Sequence, residues 1–215
     1  MRAYKFLSAH FGLKSLYETR LKISQIDDLN DPFELLPFSL KDRAQRWAAH
    51  ETKRGLAKNR GVLCFSAHWR DPVIWAHYSD KHKGICLGFD VPDETAQPVR
   101  YTADRVPFPD SPGADDMNLM LWTKFINWAY EEEIRIWATL QEHEDGIYYK
   151  NFGDDLRLVE VIAGAECTVP EEAFERALRS INQPSIKPMK ARAGFARFEV
   201  VKNERGFERL QPNLP

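Results

Sequence analysis

The chain has 215 residues, 43% of them hydrophobic, and 30 basic against 32 acidic side chains give it a formal charge of -2. That is enough apolar material for one domain with a real core, which excludes long disorder, and the charge is too near zero for a general polyanion-binding coat. Three dispersed cysteines, Cys64, Cys86 and Cys167, form no Cys-x-x-Cys pair, which excludes a disulfide framework or zinc ribbon and reads as buried free thiols. The first residues include Arg2 and Lys5 but no apolar run of signal-peptide length, and nothing nears the ~20 apolar residues of a membrane span. The expectation is a soluble, cytoplasmic protein.

In chain order, residues 3–7 read as a strand and 13–19 as a short helix. Residues 20–24 alternate, with Leu21 and Ile23 on one face, and predict a half-buried strand. Asn30-Asp31-Pro32 is turn chemistry, because Asn and Asp bond nearby backbone and Pro32 holds Asp31 out of the helical region. Residues 39–55 predict a polar, lid-like helix capped by Ser39. A strand over 61–66 is followed by a helix over 71–78 that Asp71-Pro72 starts well. Strands are expected over 83–90 and 97–102, and the Pro-rich stretch 105–114 reads as a loop. Met117, Leu121, Phe125 and Trp128 predict a helix over 115–130. Strands over 133–140 and 156–168, a helix over 171–181, a loop over 183–188 and a strand over 196–201 complete the chain. Without a regular βαβ rhythm, this is α+β: one domain over 1–215, with a central, mostly antiparallel sheet of about seven short strands and surrounding helices. The motif-bearing part is about 1–140, and 141–215 completes or flanks the sheet.

Three clusters carry candidate chemistry. The first is Trp75, His77, Tyr78 and Asp80 at one helix end, followed by His82, Lys83 and Gly84 in the turn beyond. Aromatic faces beside hydrogen-bonding groups suit a planar, polar ligand such as a nucleobase or nicotinamide. Trp75 and Tyr78, three apart, equally suit a core face. His77 and His82 lack a helical partner at zinc spacing, so no metal is expected. The second cluster is Lys124 with Trp128, Tyr130, Glu131, Glu132, Glu133 and Arg135. A strand beginning near Glu131 places Glu131, Glu133 and Arg135 on one face, with Ile134 and Ile136 buried on the other. Arg135 would then hold one glutamate and leave the other for a substrate hydroxyl or developing cation, unless the face is simply solvated. The third cluster is Asn30-Asp31-Pro32-Phe33-Glu34, an architectural turn or part of a site. Ser66 lies in no nucleophile elbow, and neither common phosphate loop is present.

Together and in this order, Asn-Asp-Pro-Phe-Glu, Cys-Phe-Ser, Trp-x-His-Tyr-x-Asp-x-His-Lys-Gly-x-Cys-x-Gly-Phe-Asp and Lys…Trp-x-Tyr-Glu-x-Glu-x-Arg resemble the bacterial domain-of-unknown-function 2971 family, from about Tyr4 to Arg135. The resemblance implies a cytoplasmic accessory, toxin-like or phage-defence context. A more distant likeness is to mono-ADP-ribosyltransferases, which carry an early strand contacting NAD, a middle strand with serine or tyrosine and a late strand with Glu-x-Glu. That likeness implies NAD as substrate and no metal. It makes Glu133 the catalytic carboxylate on the ribose 2′-hydroxyl, Glu131 the group that orients or deprotonates an acceptor, and Ser66 the site floor. Tyr4 and Lys5 would make the early NAD contact, and Asn30 and Asp31 join the nucleotide-binding set. Trp75 or Tyr78 would stack on a ring beside His77 and His82, and Lys83 and Arg135 would lie near phosphate charge. The chain departs from the pattern where Lys5 replaces an early Arg or His, and where Cys-Phe-Ser replaces Ser-Thr-Ser.

The acceptor would be nucleic acid or protein, with no membrane partner. Two other classes compete. A nuclease or glycosylase would use His77, Asp80 and His82, with metal or histidine chemistry and a basic groove from Lys41, Arg43, Arg46, Lys53, Arg54, Lys58 and Arg60. A non-catalytic nucleotide-binding module would instead have its carboxylates engaged in structural ion pairs.

Overall fold

The computed structural model describes residues 1–141 and 143–207. In chain order the strands and helices are β1 Arg2–Leu7, α1 Ala9–Glu18, β2 Arg20–Lys22, β3 Ser24–Gln25, α2 Arg43–Ala57, β4 Arg60–Ser66, α3 Pro72–Tyr78, β5 Ile85–Asp90, β6 Ala96–Pro98, β7 Arg100–Thr102, α4 Ala114–Trp122, β8 Thr123–Phe125, β9 Glu133–Thr139, β10 His143–Glu144, β11 Ile147–Asn151, β12 Arg157–Ala163, α5 Glu171–Ser180, β13 Met189–Ala193 and β14 Val200–Lys202. Short 3-10 turns occupy Ile26–Asp28 and Ile126–Glu131. The architecture is mixed α/β with mostly antiparallel pairing. Its fourteen strands among the described residues exceed the expected seven. Among the same residues no helix is long and apolar enough to cross a membrane.

The chain divides into two compact units. One contains Met1, Leu21–Ala67 and Val91–Asn151; the other contains Arg2–Arg20, His68–Asp90 and the described residues from Phe152 on. In the first, β3, β4, β9 and β6 pair antiparallel in that order, and β9 lies in register with β4 from Ser66↔Glu133 to Arg60↔Thr139. Strands β7 and β8 pair in parallel, and β10 and β11 form a hairpin beside β2. Its core gathers Ile26, Leu35, Phe38, Met120 and Leu121, with Leu56 and Ala57 of α2 packed against them. In the second unit the order is β14-β13-β12-β5-β1. Only β12 and β13 run parallel there, joined by α5 as a crossover. Strand β5 is apolar on both faces because it is central, and Ile85, Cys86, Leu87 and Phe89 are sealed from solvent.

Several boundaries differ from the sequence reading for local reasons. Helix α1 starts at Ala9 because the Ser8 hydroxyl accepts from the Phe11 N–H, and it ends at Thr19 in the left-handed region. Helix α2 starts at Arg43 on an Asp42–Gln45 capping box, while Ser39 bonds Val106 backbone instead. The helix expected over 115–130 stops at Trp122. Thr123 turns extended, β8 pairs with β7, and a 3-10 turn follows. The hairpin turning at Asp145 and Gly146, both at positive φ, was signalled by that dipeptide but not predicted. Neither was β13, and the strand expected over 196–201 is only Val200–Lys202.

Gly84 shows how tight the entry to β5 is: a Cβ there would stand 2.1 Å from the Leu7 carbonyl oxygen and 2.8 Å from that of Ser79. Gly55, inside α2, meets nothing within 4 Å. Urea unfolding should show Gly84→Ala losing about 3 kcal/mol or more through overpacking against backbone. Gly55→Ala should gain up to about 1 kcal/mol from helix propensity. Equal effects of the two substitutions would overturn this reading of the β5 entry.

Candidate functional site

The first unit buries five ionisable side chains together. Arg135 is 1% exposed, Glu34 and Glu133 3%, Glu131 6% and Lys124 7%. Four local devices bring them in. The Asn30-Asp31-Pro32 turn closes when the Asp31 carboxylate accepts from the Phe33 N–H at 2.9 Å and the Asp31 carbonyl accepts from the Glu34 N–H at 3.1 Å, which brings Glu34 inside. Lys124 is the middle of β8. Glu131 ends the 3-10 turn, and Glu132 takes the left-handed conformation as its cap. Strand β9 carries Glu133 and Arg135 on one face.

Arg135 spends its whole guanidinium here. Its Nη2 donates to both Glu34 oxygens at 2.7 and 2.9 Å and to Glu133 Oε2 at 3.0 Å. Its Nε donates to Glu133 Oε1 at 2.8 Å, and its Nη1 to the Leu121 carbonyl at 3.1 Å. Lys124 Nζ donates to Glu131 at 2.5 Å and Glu133 at 3.0 Å, lies 3.6 Å from Glu34, and sits 4.9 Å from the Trp128 ring centre. The Tyr101 hydroxyl accepts from the Glu133 N–H at 2.8 Å.

Burial pushes against the charges of Glu34, Lys124, Glu133 and Arg135, and their partners decide the outcome. For Glu133, Arg135 and Lys124 together overcome desolvation and hold the carboxyl down at about 2. For Glu34, desolvation wins and the carboxyl stays above its ordinary value despite Arg135. The surrounding carboxylates raise both cations against desolvation, and burial pushes Tyr101 up to about 12. Three carboxyl side chains thus share two cations. The solvated charged face that the spacing allowed is corrected by this burial. So is the strand start near Glu131, which lies in the turn before β9.

Lys124 also lines a pocket of about 260 Å³, with Phe33, Leu36, Pro37, Thr102, Asp104, Arg105, Thr123 and Phe125 among its walls. Phe33 and Phe125 are exposed at its rim, and the Arg105 guanidinium lies 5.2 Å from the Phe33 ring centre. The volume suits one heterocycle rather than a whole dinucleotide.

The other expected residues distribute as follows. Ser66 is buried and faces Glu133 across the β4–β9 pair, and Asp31 is buried beside exposed Asn30. Tyr4, Lys5, Trp75, His77, Tyr78, His82 and Lys83 belong to the second unit. Trp75 is packed as core: it is 0% exposed, donates Nε1–H to the Trp69 carbonyl at 2.5 Å, meets the Phe6 ring edge-on at 5.1 Å and is stacked with His82 at 6.3 Å. His77 and Lys83 are exposed, while Tyr78 and His82 are half-buried. The Tyr4 hydroxyl reaches Glu160 at 3.5 Å. Of the basic run considered as a groove, Lys53 donates to the Glu34 carbonyl at 2.9 Å, Arg46 to those of Leu40 and Lys41, and Arg54 pairs with Glu51.

Phe33, Glu34 and Lys124 stood inside quoted clusters without an individual role, and Tyr101, Arg105 and Phe125 were not singled out as site residues. A paired Glu-x-Glu-x-Arg beside an Asn-Asp-Pro turn ending in Glu was the available signal for Glu34. Comparison with models of known protein families, with curated proteins and with solved structures gives no match to this chain.

Removing one member of such a cluster strands its partners without water. Arg135→Met should cost about 3–5 kcal/mol in urea unfolding. Glu133→Gln with Arg135→Met should cost less than the two separate losses added, because each removes the same interaction; strict additivity would refute the coupling. The pH dependence has a defined sign. Glu133 goes from 4.5 to about 2 on folding, so its contribution is present above the unfolded value and lost as pH falls towards 2. The wild-type urea midpoint should therefore fall through that acid window more steeply than that of Glu133→Gln.

Proposed function

We propose that this chain binds a nucleotide in the pocket of its first unit, with the planar heterocycle against the Phe33 and Phe125 rim and its polar edge towards Lys124. The carrying observation is that Lys124, part of the pocket wall, is fixed by three buried carboxyl side chains, Glu34, Glu131 and Glu133. Groups held by such bonds need no rearrangement on binding. Lys124 offers only N–H donors to the pocket, so it favours a ring with an acceptor edge, such as an adenine ring nitrogen or the nicotinamide carboxamide oxygen.

In this reading Glu133 is a fixed charge. Its Oε1 takes Arg135 Nε, its Oε2 takes Arg135 Nη2 and Lys124 Nζ, and the Cys64 thiol bonds the carboxylate as well. A carboxylate offers about four lone-pair sites, and these bonds use them. That occupancy favours binding without turnover, the module whose carboxylates are engaged in ion pairs.

A second reading, an ADP-ribosyltransferase-like enzyme, is favoured by Ser66 standing opposite Glu133 in register. There the nicotinamide–ribose bond would break with its electron pair leaving on nicotinamide. The Glu133 carboxylate would steady the ribosyl cation, and an acceptor oxygen or nitrogen would close the new bond. The acceptor's proton would pass through Glu131 to solvent.

Titration calorimetry and thermal shift with NAD, ADP-ribose, ATP and nicotinamide test both, alongside mass-resolved detection of released nicotinamide. The expected result is saturable binding of at least one of these, weakened about tenfold or more in Phe33→Ala, with no nicotinamide released. Release that is lost in both Glu133→Gln and Phe33→Ala would overturn the binding reading in favour of the transferase. No binding of any of the four would overturn both.

A further inference from the structure

The loop between β13 and β14 carries the most exposed large apolar side chains among the described residues: Phe195 is 83% and Phe198 102% exposed. The loop around them is tied down. The Gly194 N–H donates to the Glu199 carbonyl at 2.8 Å, the Glu199 N–H to that of Arg197 at 2.9 Å, and the Val200 N–H to that of Arg70 at 2.8 Å. The closure depends on glycine, since a Cβ at Gly194 would stand 2.9 Å from the Arg197 oxygen and 3.0 Å from the Glu199 oxygen. Two phenylalanines are thus presented to solvent on a preformed tip.

The charge around them is mainly positive. The Arg192 guanidinium lies 4.1 Å from the Phe195 ring centre, a cation–π stack that covers one ring face. Among the described residues neither Arg192 nor Arg197 joins an ion pair, and the one acid of the loop, Glu199, already faces Arg70 at 3.9 Å.

We propose that this tip binds single-stranded nucleic acid, with bases stacking on Phe195 and Phe198 and phosphates meeting Arg192 and Arg197. Exposed rings interleaved with unpaired arginines are what such strands require. Stacking accepts any base, and the arginines neutralise the backbone. A duplex keeps its bases stacked on each other and would gain only the charge contacts. A membrane fits less well, because a guanidinium stacked on the Phe195 ring would have to follow that ring into hydrocarbon.

The test is fluorescence anisotropy of the full chain with labelled oligothymidine and oligouridine of about 20 nucleotides, and with a duplex of equal length, over a salt series. Wild type should bind the single strands in the micromolar range, more tightly than the duplex. Phe195→Ala with Phe198→Ala should weaken binding about tenfold or more. Arg192→Gln with Arg197→Gln should also weaken it and lower the salt slope by about 1 to 2. All four positions lie on or beside an exposed loop, and circular dichroism checks that the fold is kept. Unchanged affinity in both variants, equal binding of the duplex, or no binding at all would overturn the proposal. So would a tip whose phenylalanines matter instead for binding phosphatidylglycerol vesicles or for self-association.

Discussion

A guanidinium that is 1% exposed can exist only where every donor finds an acceptor, and Arg135 imposes that condition on the first unit. Glu133 comes from its own strand, but Glu34 is 101 residues away in sequence and the Leu121 carbonyl 14 residues away. Those two acceptors force the Asn-Asp-Pro turn to point Glu34 inward and α4 to stop with its last carbonyls facing β9. Lys124 follows from the same condition. Two carboxylates drawn to one arginine, with a third nearby, would repel each other unless a second cation stood among them. The stretch from α4 to β9 therefore breaks into helix, short strand and 3-10 turn. No single long element places the Leu121 carbonyl, Lys124, Glu131 and Glu133 around one point.

The same condition explains which parts could be read from sequence. Strands β4 and β5 are apolar runs whose burial needs no partner to be named, so their positions were legible. So was α3, because Asp71 accepts from the Val73 and Ile74 N–H groups at 2.6 and 3.1 Å, a cap whose reach is entirely local. The helix expected over 115–130 was not legible. Its periodicity is real, but Thr123 is recruited by Arg100 of β7 in a pairing that a window of fifteen residues cannot contain. For Glu131, Glu133 and Arg135 the spacing identified the right residues with the wrong geometry. Period two assumes a strand, whereas Glu131 reaches Lys124 from a turn whose cap, Glu132, sits at φ 41°.

The aromatic and histidine cluster of the second unit gives the complementary case. From sequence, Trp75 to Gly84 looks like a ligand cradle. In the fold, Asp80, Lys81 and His82 are three consecutive left-handed residues without a glycine among them. Each such conformation costs of order 1 kcal/mol and persists only when neighbouring bonds fix it. Here the His82 N–H donates to the Trp75 carbonyl at 3.2 Å, the Gly84 N–H to Ser79 at 2.7 Å and the Glu166 N–H to His82 at 3.0 Å. The turn brings the imidazole onto the indole, and Phe6 closes the ring's edge. Residue types that suit a planar ligand also suit one another, and here they satisfy one another.

The two carboxylates bonded to Arg135 have been driven apart by their neighbours, and that separation limits the chemistry open to the site. Glu133, held near 2, stays ionised at any physiological pH, so it can act only as a fixed charge or an acceptor. Glu34, with fewer compensating bonds against its burial, is the group whose proton is held more tightly than usual. Lys124 Nζ, 3.6 Å from that carboxylate, belongs to the pocket wall, so the pocket meets the cluster through a fixed ammonium rather than through either glutamate.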